Sequence, residues 1–289
     1  MRSWLALLAL LSIVLPSAAV QVTDDLGTRV EIARPPQRIV SLLPSLTEFV
    51  CALDACGRLV GVDDYSNHPA AVRALPHVGG LEDARVEAIV ALKPDLVLAP
   101  TSSRALPRLQ ALGLTVLALE PRTFADVQRV LALLGPVLAA GDAQRVWEDI
   151  RRGLDAVAAS VPPQLRGTRV YFEVSSVPHA ASESSFIGEL LARLGVANIV
   201  PGKLGPFPQL NPEFVVRADP QVIMLAGASE VPRLASRPGW QRIAALRTGR
   251  VCAFSREEAD ALVRAGPRMA EGARLMVQCL QGERVGAPR

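Results

Sequence analysis

Few side chains in this sequence have the types and spacing of a catalytic centre. The motifs of a nucleophilic serine, a phosphate-binding loop and a dinucleotide site (G-x-S-x-G, G-x-x-x-x-G-K-[ST] and G-x-G-x-x-G) are all missing. The three histidines, His68, His77 and His179, lack the H-x-x-x-H spacing that turns two imidazoles toward one metal ion. A lone histidine is more often a surface or supporting residue than a ligand. The residues therefore favour no enzyme.

Two glutamates are distinctive because the chain repeats their surroundings. VEAIVALKPDLVLA (86–99) and PEFVVRADPQVIMLA (212–226) align with Glu87 on Glu213, and each has a proline seven residues on and then an apolar run. Each copy predicts a short helix, a proline stop and a strand buried on both faces. One acid in a first helical turn contributes at most ~1 kcal/mol through the helix dipole and needs no other role. Two at equivalent places indicate similar lobes that present paired contacts to a two-fold symmetric partner.

The segments around the first copy alternate between strand and helix. After a small hairpin at 20–32, buried strands are predicted at 38–43, 59–62, 96–99 and 115–119. Pro44 is expected to end the first of these strands, and Ser45 or Thr47 to cap the helix that follows, which runs to about Ala55. This alternation predicts a parallel sheet wrapped by helices, an α/β lobe over residues 20–122.

Residues 123–163 contain no strand and form the predicted helical connector. Thr123 with Asp126 indicates a capping box, Gly135-Pro136 an interruption, and Asp142 the cap of a second helix. Alternation resumes in 164–289, with a strand at 169–174, a helix from Phe186 and a closing helix at 267–280. The chain is therefore expected to fold as two Rossmann-like α/β lobes with parallel sheets, joined by this connector.

The N-terminus has the features of a secretory leader. Arg2 precedes an apolar run from Leu5 to Leu15, and Ser17-Ala18-Ala19 is a small-residue cleavage site, so residues 1–19 are predicted to be removed. A membrane anchor is the alternative, but the run is shorter than the ~20 residues of a span. No cysteine directly follows the leader, so no lipid anchor is expected. The net charge of +3 comes from scattered basic residues, which argues against nucleic acid as a partner.

Four cysteines in an exported chain favour disulfides. We expect Cys51 to pair with Cys56 and Cys252 with Cys279, although four cysteines allow three pairings. A zinc site of four thiolates is the alternative. One C-x4-C without a second tight pair matches it poorly.

Six segments together resemble a known family. They are RIVSLLPSLTE, LVGVDDYSNHP, LPHVGG, VEAIVALKPDLVLA, NPEFVVRADPQVI and RAGPRM, and the likeness spans about residues 20–280. In this order they look like the periplasmic substrate-binding proteins of ATP-driven importers for cobalamin, haem and iron-siderophores. The resemblance implies two α/β lobes joined by one long rigid helix, with the ligand in the cleft between them. It also implies no covalent step and no cofactor, with the ligand carried as cargo.

The resemblance gives the two glutamates a role. In the family, one surface glutamate from each lobe docks onto arginines of the membrane permease dimer, and Glu87 and Glu213 fall on those positions. Charge-assisted contacts of this kind orient docking and raise the association rate. We therefore expect a monomer in the periplasm that binds its ligand and docks onto the permease.

The resemblance also implies a set of cleft residues, and several depart from the cobalamin-binding members. Leu81, Pro100 and Phe207 stand where those members have tryptophans, and His179 where they have phenylalanine. The matching positions in this chain are Ser45, Tyr65, Leu81, Pro100, His179, Phe207, Asp260 and Arg264. Loss of large flat contacts, each worth about 1 kcal/mol, implies a cleft that is wider, weaker or made for another ligand.

A corrinoid is the leading expected cargo, with haem or a ferric siderophore as the alternative. Haem binders of the family tend to place a tyrosine directly after the VG of the LPxVG motif, where this chain has Gly80. Tyr65 or His179 remains available to ligate iron or cobalt. An exported α/β enzyme and a ligand-sensing adaptor are the remaining alternatives.

Overall fold

The computed structural model describes residues 19–175, 179–227, 234 and 236–283. The predicted leader falls outside these ranges apart from Ala19. Within them, none of the helices is both long enough and apolar enough to cross a bilayer. The boundaries expected at residues 122 and 163 remain a prediction.

The first lobe is built on a four-stranded parallel sheet in the order β4-β3-β5-β6, preceded by a separate antiparallel hairpin, β1-β2. Its helices cover the sheet between strands. The elements are β1 (Val20–Thr23), β2 (Arg29–Ile32), β3 (Ile39–Ser41), α1 (Pro44–Ala52), β4 (Leu59–Val62), α2 (Val86–Ala91), β5 (Leu96–Ala99), α3 (Leu106–Ala111) and β6 (Val116–Ala118), with 3-10 turns at Cys56–Arg58 and Ala70–Ala74.

The second lobe repeats this architecture. Its parallel sheet has the order β8-β7-β9-β10, which corresponds strand for strand to the first. The elements are β7 (Arg169–Glu173), α6 (Phe186–Arg193), β8 (Ala197–Asn198), α7 (Pro212–Ala218), β9 (Val222–Leu225), α8 (Ala244–Arg247), β10 (Val251–Ala253), α9 (Arg256–Val263) and α10 (Met269–Leu280), with 3-10 turns at Pro163–Leu165, Gly202–Leu204 and Trp240–Arg242. The prediction of two α/β lobes with parallel sheets is confirmed.

The repeated sequence unit occupies the same place in both lobes. In one copy α2 leads into β5, and in the other α7 leads into β9. Both strands are central, because each pairs with a neighbour on either side. Both are also fully buried. Strands covered on both faces need uninterrupted apolar residues, which explains why the signal was visible in the sequence.

The connector holds two helices, α4 (Phe124–Leu138) and α5 (Ala143–Ala159). The predicted capping box at Thr123 and the cap at Asp142 are both present. The predicted interruption at Gly135-Pro136 is wrong, because α4 continues to Leu138 and ends at Ala139 in the left-handed region, with φ 45°. A proline removes one helical N–H bond. Burial of Val137 and Leu138 keeps this last turn helical.

The expected cap of α1 is also wrong. The helix begins at Pro44 itself, and neither Ser45 nor Thr47 caps it. Proline suits the first helical position, since its missing N–H would have no intrahelical partner there. The Thr47 hydroxyl instead donates to Ser41 Oγ at 2.9 Å, inside the lobe.

Both predicted disulfides are present. Cys51–Cys56 closes a short loop at the end of α1, and Cys252–Cys279 ties β10 to α10. All four cysteines therefore lie in disulfides, which overturns the alternative of a zinc site with four thiolates.

The two disulfides should stabilise the protein unequally. Loop-closure entropy predicts a loss of about 3.5 kcal/mol for Cys252→Ala with Cys279→Ala and about 2 kcal/mol for Cys51→Ala with Cys56→Ala. The reason is that the bridges join residues 27 and 5 apart in sequence. Urea unfolding of both double variants measures the difference. Equal losses would contradict the loop-length explanation.

Candidate functional site

The site lies where strands of both sheets end, since ligands of open α/β sheets bind beyond the carboxyl ends of parallel strands. A cavity of about 480 Å³ opens there, and it is lined by residues of both lobes. The lining residues are Leu43, Pro44, Ser45, Glu120, Pro121, Arg122, Phe186, Pro206, Phe207, Val263, Arg264 and Ala265. The cavity thus brings together Ser45, Phe207 and Arg264 of the predicted set.

One wall of the cavity is apolar. Phe207 packs edge to face on Phe186, with ring centroids 6.3 Å apart, and still leaves 39% of its surface exposed. Val263, at the end of α9, is 37% exposed beside it. Exposed apolar side chains of this size cost free energy in water, so the wall favours a ligand with an apolar face.

Part of the rim is polar, and this part was not predicted from the sequence. Glu120 and Arg122 follow β6, and an Arg122 Nη2 atom lies 3.4 Å from Glu120 Oε2. The Thr101 hydroxyl, just after β5, donates to the same carboxylate. The available signal was their position after predicted strands.

Tyr65 and Leu81 lie together on the first lobe, outside the cavity lining. They are 51% and 41% exposed. A Cβ atom added to Gly80 would lie 3.3 Å from Tyr65 Cε2 and 3.8 Å from its hydroxyl. The tyrosine ring therefore occupies the space beside the position where haem binders of the family carry their own tyrosine.

The structure does not bring Pro100 and His179 into the same cavity lining. Pro100 is buried, and its carbonyl accepts from Ser103 N at 3.0 Å, in the turn after β5. His179 is half-buried, pairs with Gln209 in an isolated bridge and has Nδ1 3.2 Å from Ser175 Oγ.

A buried ionic clamp joins the two lobes beside the cavity. The Glu48 carboxylate, on α1, accepts a hydrogen bond from Arg264 Nη1 at 2.9 Å. It also accepts two from Arg268, from Nη2 at 3.0 Å and from Nε at 3.1 Å. The side chains of Glu48 and Arg264 are 2% and 8% exposed. Burial alone would lower the pKa of Arg268, but its hydrogen bonds with Glu48 outweigh this and raise the pKa.

Arg264 has further partners in the clamp. Its Nη2 donates to the carbonyl of Tyr65 at 2.9 Å, and its Nη1 to Asn67 Oδ1 at 2.9 Å. Asp260, one turn earlier, pairs with Arg264 Nη2 at 2.9 Å and accepts from Asn67 Nδ2 at 2.6 Å. These two predicted ligand residues therefore hold the loop of Tyr65 against the second lobe.

Asp260 lines a second, polar cavity of about 370 Å³ rather than the first. His68 and Arg268 also line it. Burial and then the charge of Arg268 lower the pKa of His68. A neutral imidazole is therefore favoured next to the clamp.

A series of buried hydrogen bonds within the first lobe fixes the loop of Tyr65. Ser66 donates to Asp63, and the Ser66 and Thr47 hydroxyls lie 2.8 Å apart. The Tyr65 N–H donates to Asp63 Oδ1 at 2.8 Å. Burial raises the pKa of Asp63, while the bonds from Ser66 and Tyr65 oppose that rise. The loop that carries Tyr65 is thus fixed from both sides.

The two glutamates of the repeat are exposed, each in the first turn of its short helix. Glu87 pairs with Arg108 at 2.6 Å, and the Glu213 N–H donates to Asn211 Oδ1 at 2.9 Å. Neither touches the cavity. Among the described residues, no group of three or more histidine, cysteine or acidic side chains is arranged to hold a metal ion.

Loss of the Glu48 carboxylate should be strongly destabilising. Glu48→Ala leaves two buried guanidinium groups without their shared anion, so we expect a loss of about 3–5 kcal/mol in the free energy of unfolding. Glu87→Ala breaks an exposed pair as a control and should cost under ~1 kcal/mol. Urea unfolding measures both. Similar losses for the two variants would show that the clamp contributes no more than a surface pair.

Comparison with known proteins identifies relatives of this chain. The family described as periplasmic binding protein matches residues 39–256. A vitamin B12-binding protein of Yersinia pseudotuberculosis is 31% identical over 222 residues, which cover 74% of this chain and 77% of that protein. An uncharacterised ABC transporter substrate-binding lipoprotein of Bacillus subtilis is 28% identical over 267 residues, covering 88% and 82%.

The fold also matches solved structures. A periplasmic haem-binding protein from Pseudomonas aeruginosa superposes with a TM-score of 0.73 at 24% identity, covering 88% of this chain and 95% of that one. A likeness at this identity supports the fold alone. With the family match over most of the chain, two parallel-sheet lobes and a cleft between them, the protein belongs to the periplasmic binding protein family.

Proposed function

We propose that this protein captures a corrinoid in the cleft between its lobes and delivers it to the permease of an ATP-driven importer. The observation that carries the proposal is the cavity between the lobes, with Phe207 and Val263 on an apolar wall and Glu120 and Arg122 on a polar rim. A corrin macrocycle offers a broad apolar face and a polar periphery, which suits such a site. The relative that binds vitamin B12 supports the same cargo.

Binding and release are the whole of the proposed activity, with no covalent step. The apolar wall supplies contact area, and polar groups at the rim orient the ligand. The Glu48 clamp and the connector helices limit how far the lobes move, so the cleft is largely formed before the ligand arrives. We expect small lobe movements rather than wide closure.

Haem or a ferric siderophore is the second candidate, favoured by Tyr65. Its ring lies beside Gly80, next to the space that a tyrosine of a haem binder would use, and half of its surface is exposed. A phenolic oxygen at the cleft edge is a suitable ligand for ferric iron. His179, on the other lobe, is the alternative ligand.

The proposed location is the periplasm, reached by cleavage of the leader after Ala19. A monomer is proposed, since one chain supplies both walls of the cavity. Glu87 and Glu213 are proposed to meet arginines of the permease dimer. Both are exposed and lie at equivalent places on the two lobes, so they could meet equivalent sites on a two-fold symmetric partner.

Titration of the purified protein with cyanocobalamin and cobinamide by calorimetry tests the corrinoid assignment. We expect saturable one-to-one binding that Phe207→Ala weakens by about 1 kcal/mol or more, because a large apolar contact is lost. Haemin is the competing ligand. A Soret band that Tyr65→Phe or His179→Ala removes, without corrinoid binding, would assign the cargo to haem and contradict the corrinoid proposal.

The docking role predicts a separation of ligand binding from transport. Glu87→Lys with Glu213→Lys should abolish ligand-stimulated ATP hydrolysis by the reconstituted importer and leave ligand affinity unchanged, because neither residue touches the cavity. Glu148→Lys, on α5, is the control for added positive charge. Stimulation that survives the double reversal would refute the docking role and favour an adaptor or sensor.

A further inference from the structure

We infer that Glu120 and Arg122 form a clasp that selects a neutral carboxamide at the periphery of the ligand over a carboxylate. This inference rests on the proposed function, because it concerns the same cavity. It assigns a specificity role to two residues that lie after β6, and it gives the chemical class of the group that they recognise.

The clasp has one donor side and one acceptor side. The Arg122 side chain is 61% exposed and Glu120 is 22% exposed, so both reach the cavity surface. Glu120 Oε2 accepts from Thr101, and the Arg122 contact to the same oxygen is 3.4 Å, long for a charge-assisted hydrogen bond. Glu120 Oε1 accepts no hydrogen bond from any described residue. The guanidinium can thus donate, and the second carboxylate oxygen can accept, toward the ligand.

Both residues are held in place through their backbones. The Glu120 N–H donates to Asp25 Oδ2 at 2.7 Å, and the Arg122 N–H donates to Asp126 Oδ2 at 3.1 Å. Asp126 is fixed in turn by the capping box with Thr123 at the start of α4. Fixed backbones limit the ordering cost of binding to the two side chains.

The net charge of the clasp is zero, and this determines which ligand group it prefers. Arg264 is the remaining charged residue that lines the cavity, and its charge is already met by Glu48 and Asp260. A primary amide offers a carbonyl to Arg122 and an N–H to Glu120, so both sides are satisfied. A carboxylate offers acceptors only and would bring a second negative charge to Glu120, which is unfavourable.

The ligand class follows from this pairing. A flat macrocycle that stacks on Phe207 and carries amide side chains matches both the wall and the rim. The peripheral amides of a corrinoid fit, whereas the propionates of haem do not. The clasp therefore discriminates between the two candidate cargoes by charge, independently of any metal ligand.

Two charge-neutralising variants test the clasp with two probes of the same macrocycle. Dicyanocobinamide carries peripheral amides, and dicyanocobyrinic acid carries carboxylic acids there. We expect Glu120→Gln to shift the affinity ratio toward the acid by about two- to fivefold, and Arg122→Gln to shift it toward the amide by a similar factor, as is typical of partly exposed charges. Both shifts should shrink at 0.5 M salt.

The matched controls are Asp149→Asn and Arg152→Gln, an exposed acid–arginine pair on α5 that does not line the cavity. They should leave the ratio unchanged. Ratio shifts of opposite sign for the two clasp variants support the inference. A ratio that stays constant while the wild-type protein binds cobinamide would overturn the clasp and leave the proposed function standing. Binding of neither probe by the wild-type protein would overturn both.

Discussion

The buried carboxylate of Glu48 is the constraint on which the rest of the site depends. It lies on α1 of the first lobe and faces two arginines of the second, 216 and 220 residues further along the chain. Taking three charges out of water is costly, and the arrangement repays that cost only with good geometry and further hydrogen bonds. Arg268 makes two bonds to the carboxylate, and Arg264 adds Asn67 and the Tyr65 carbonyl. The clamp therefore ties the two lobes to each other and to the Tyr65 loop.

Much of the fold could be predicted from the sequence because its signals are local. The repeated unit around Glu87 and Glu213 needs only a helix start, a proline and an apolar run, and each of these acts on neighbours in sequence. The same is true of the caps at Thr123 and Asp142. At Pro44 the suitability of proline for the first helical position decided the outcome, and at Pro136 the burial of Val137 and Leu138 did. The first helix also ends earlier than predicted, at Ala52 and not near Ala55.

The site was harder to predict because its contacts join residues that are distant in sequence. Asp260 and Arg264 were assigned to the ligand because they match cleft-lining positions of the cobalamin-binding members. The structure gives both of them protein partners across the lobes, and Arg264 also lines the cavity. Glu120 and Arg122 carry no motif, and only their place after β6 connects them to the cavity. Burial and charge neutralisation by a distant residue leave no trace in a local pattern.

The clamp also bears on how a cleft with fewer aromatic residues would bind the proposed ligand. The resemblance places tryptophans where Leu81 and Pro100 stand, and each lost stacking surface removes about 1 kcal/mol. Ordering loops and side chains on binding also costs free energy, often ~1 kcal/mol for each flexible side chain that is fixed. The Tyr65 loop is already held by Asp63 below and by Arg264 from the second lobe. A preformed cleft avoids that ordering cost, so rigidity partly offsets the missing stacking area. A cleft that is largely preformed discriminates among ligands mainly through the chemistry of its rim and wall.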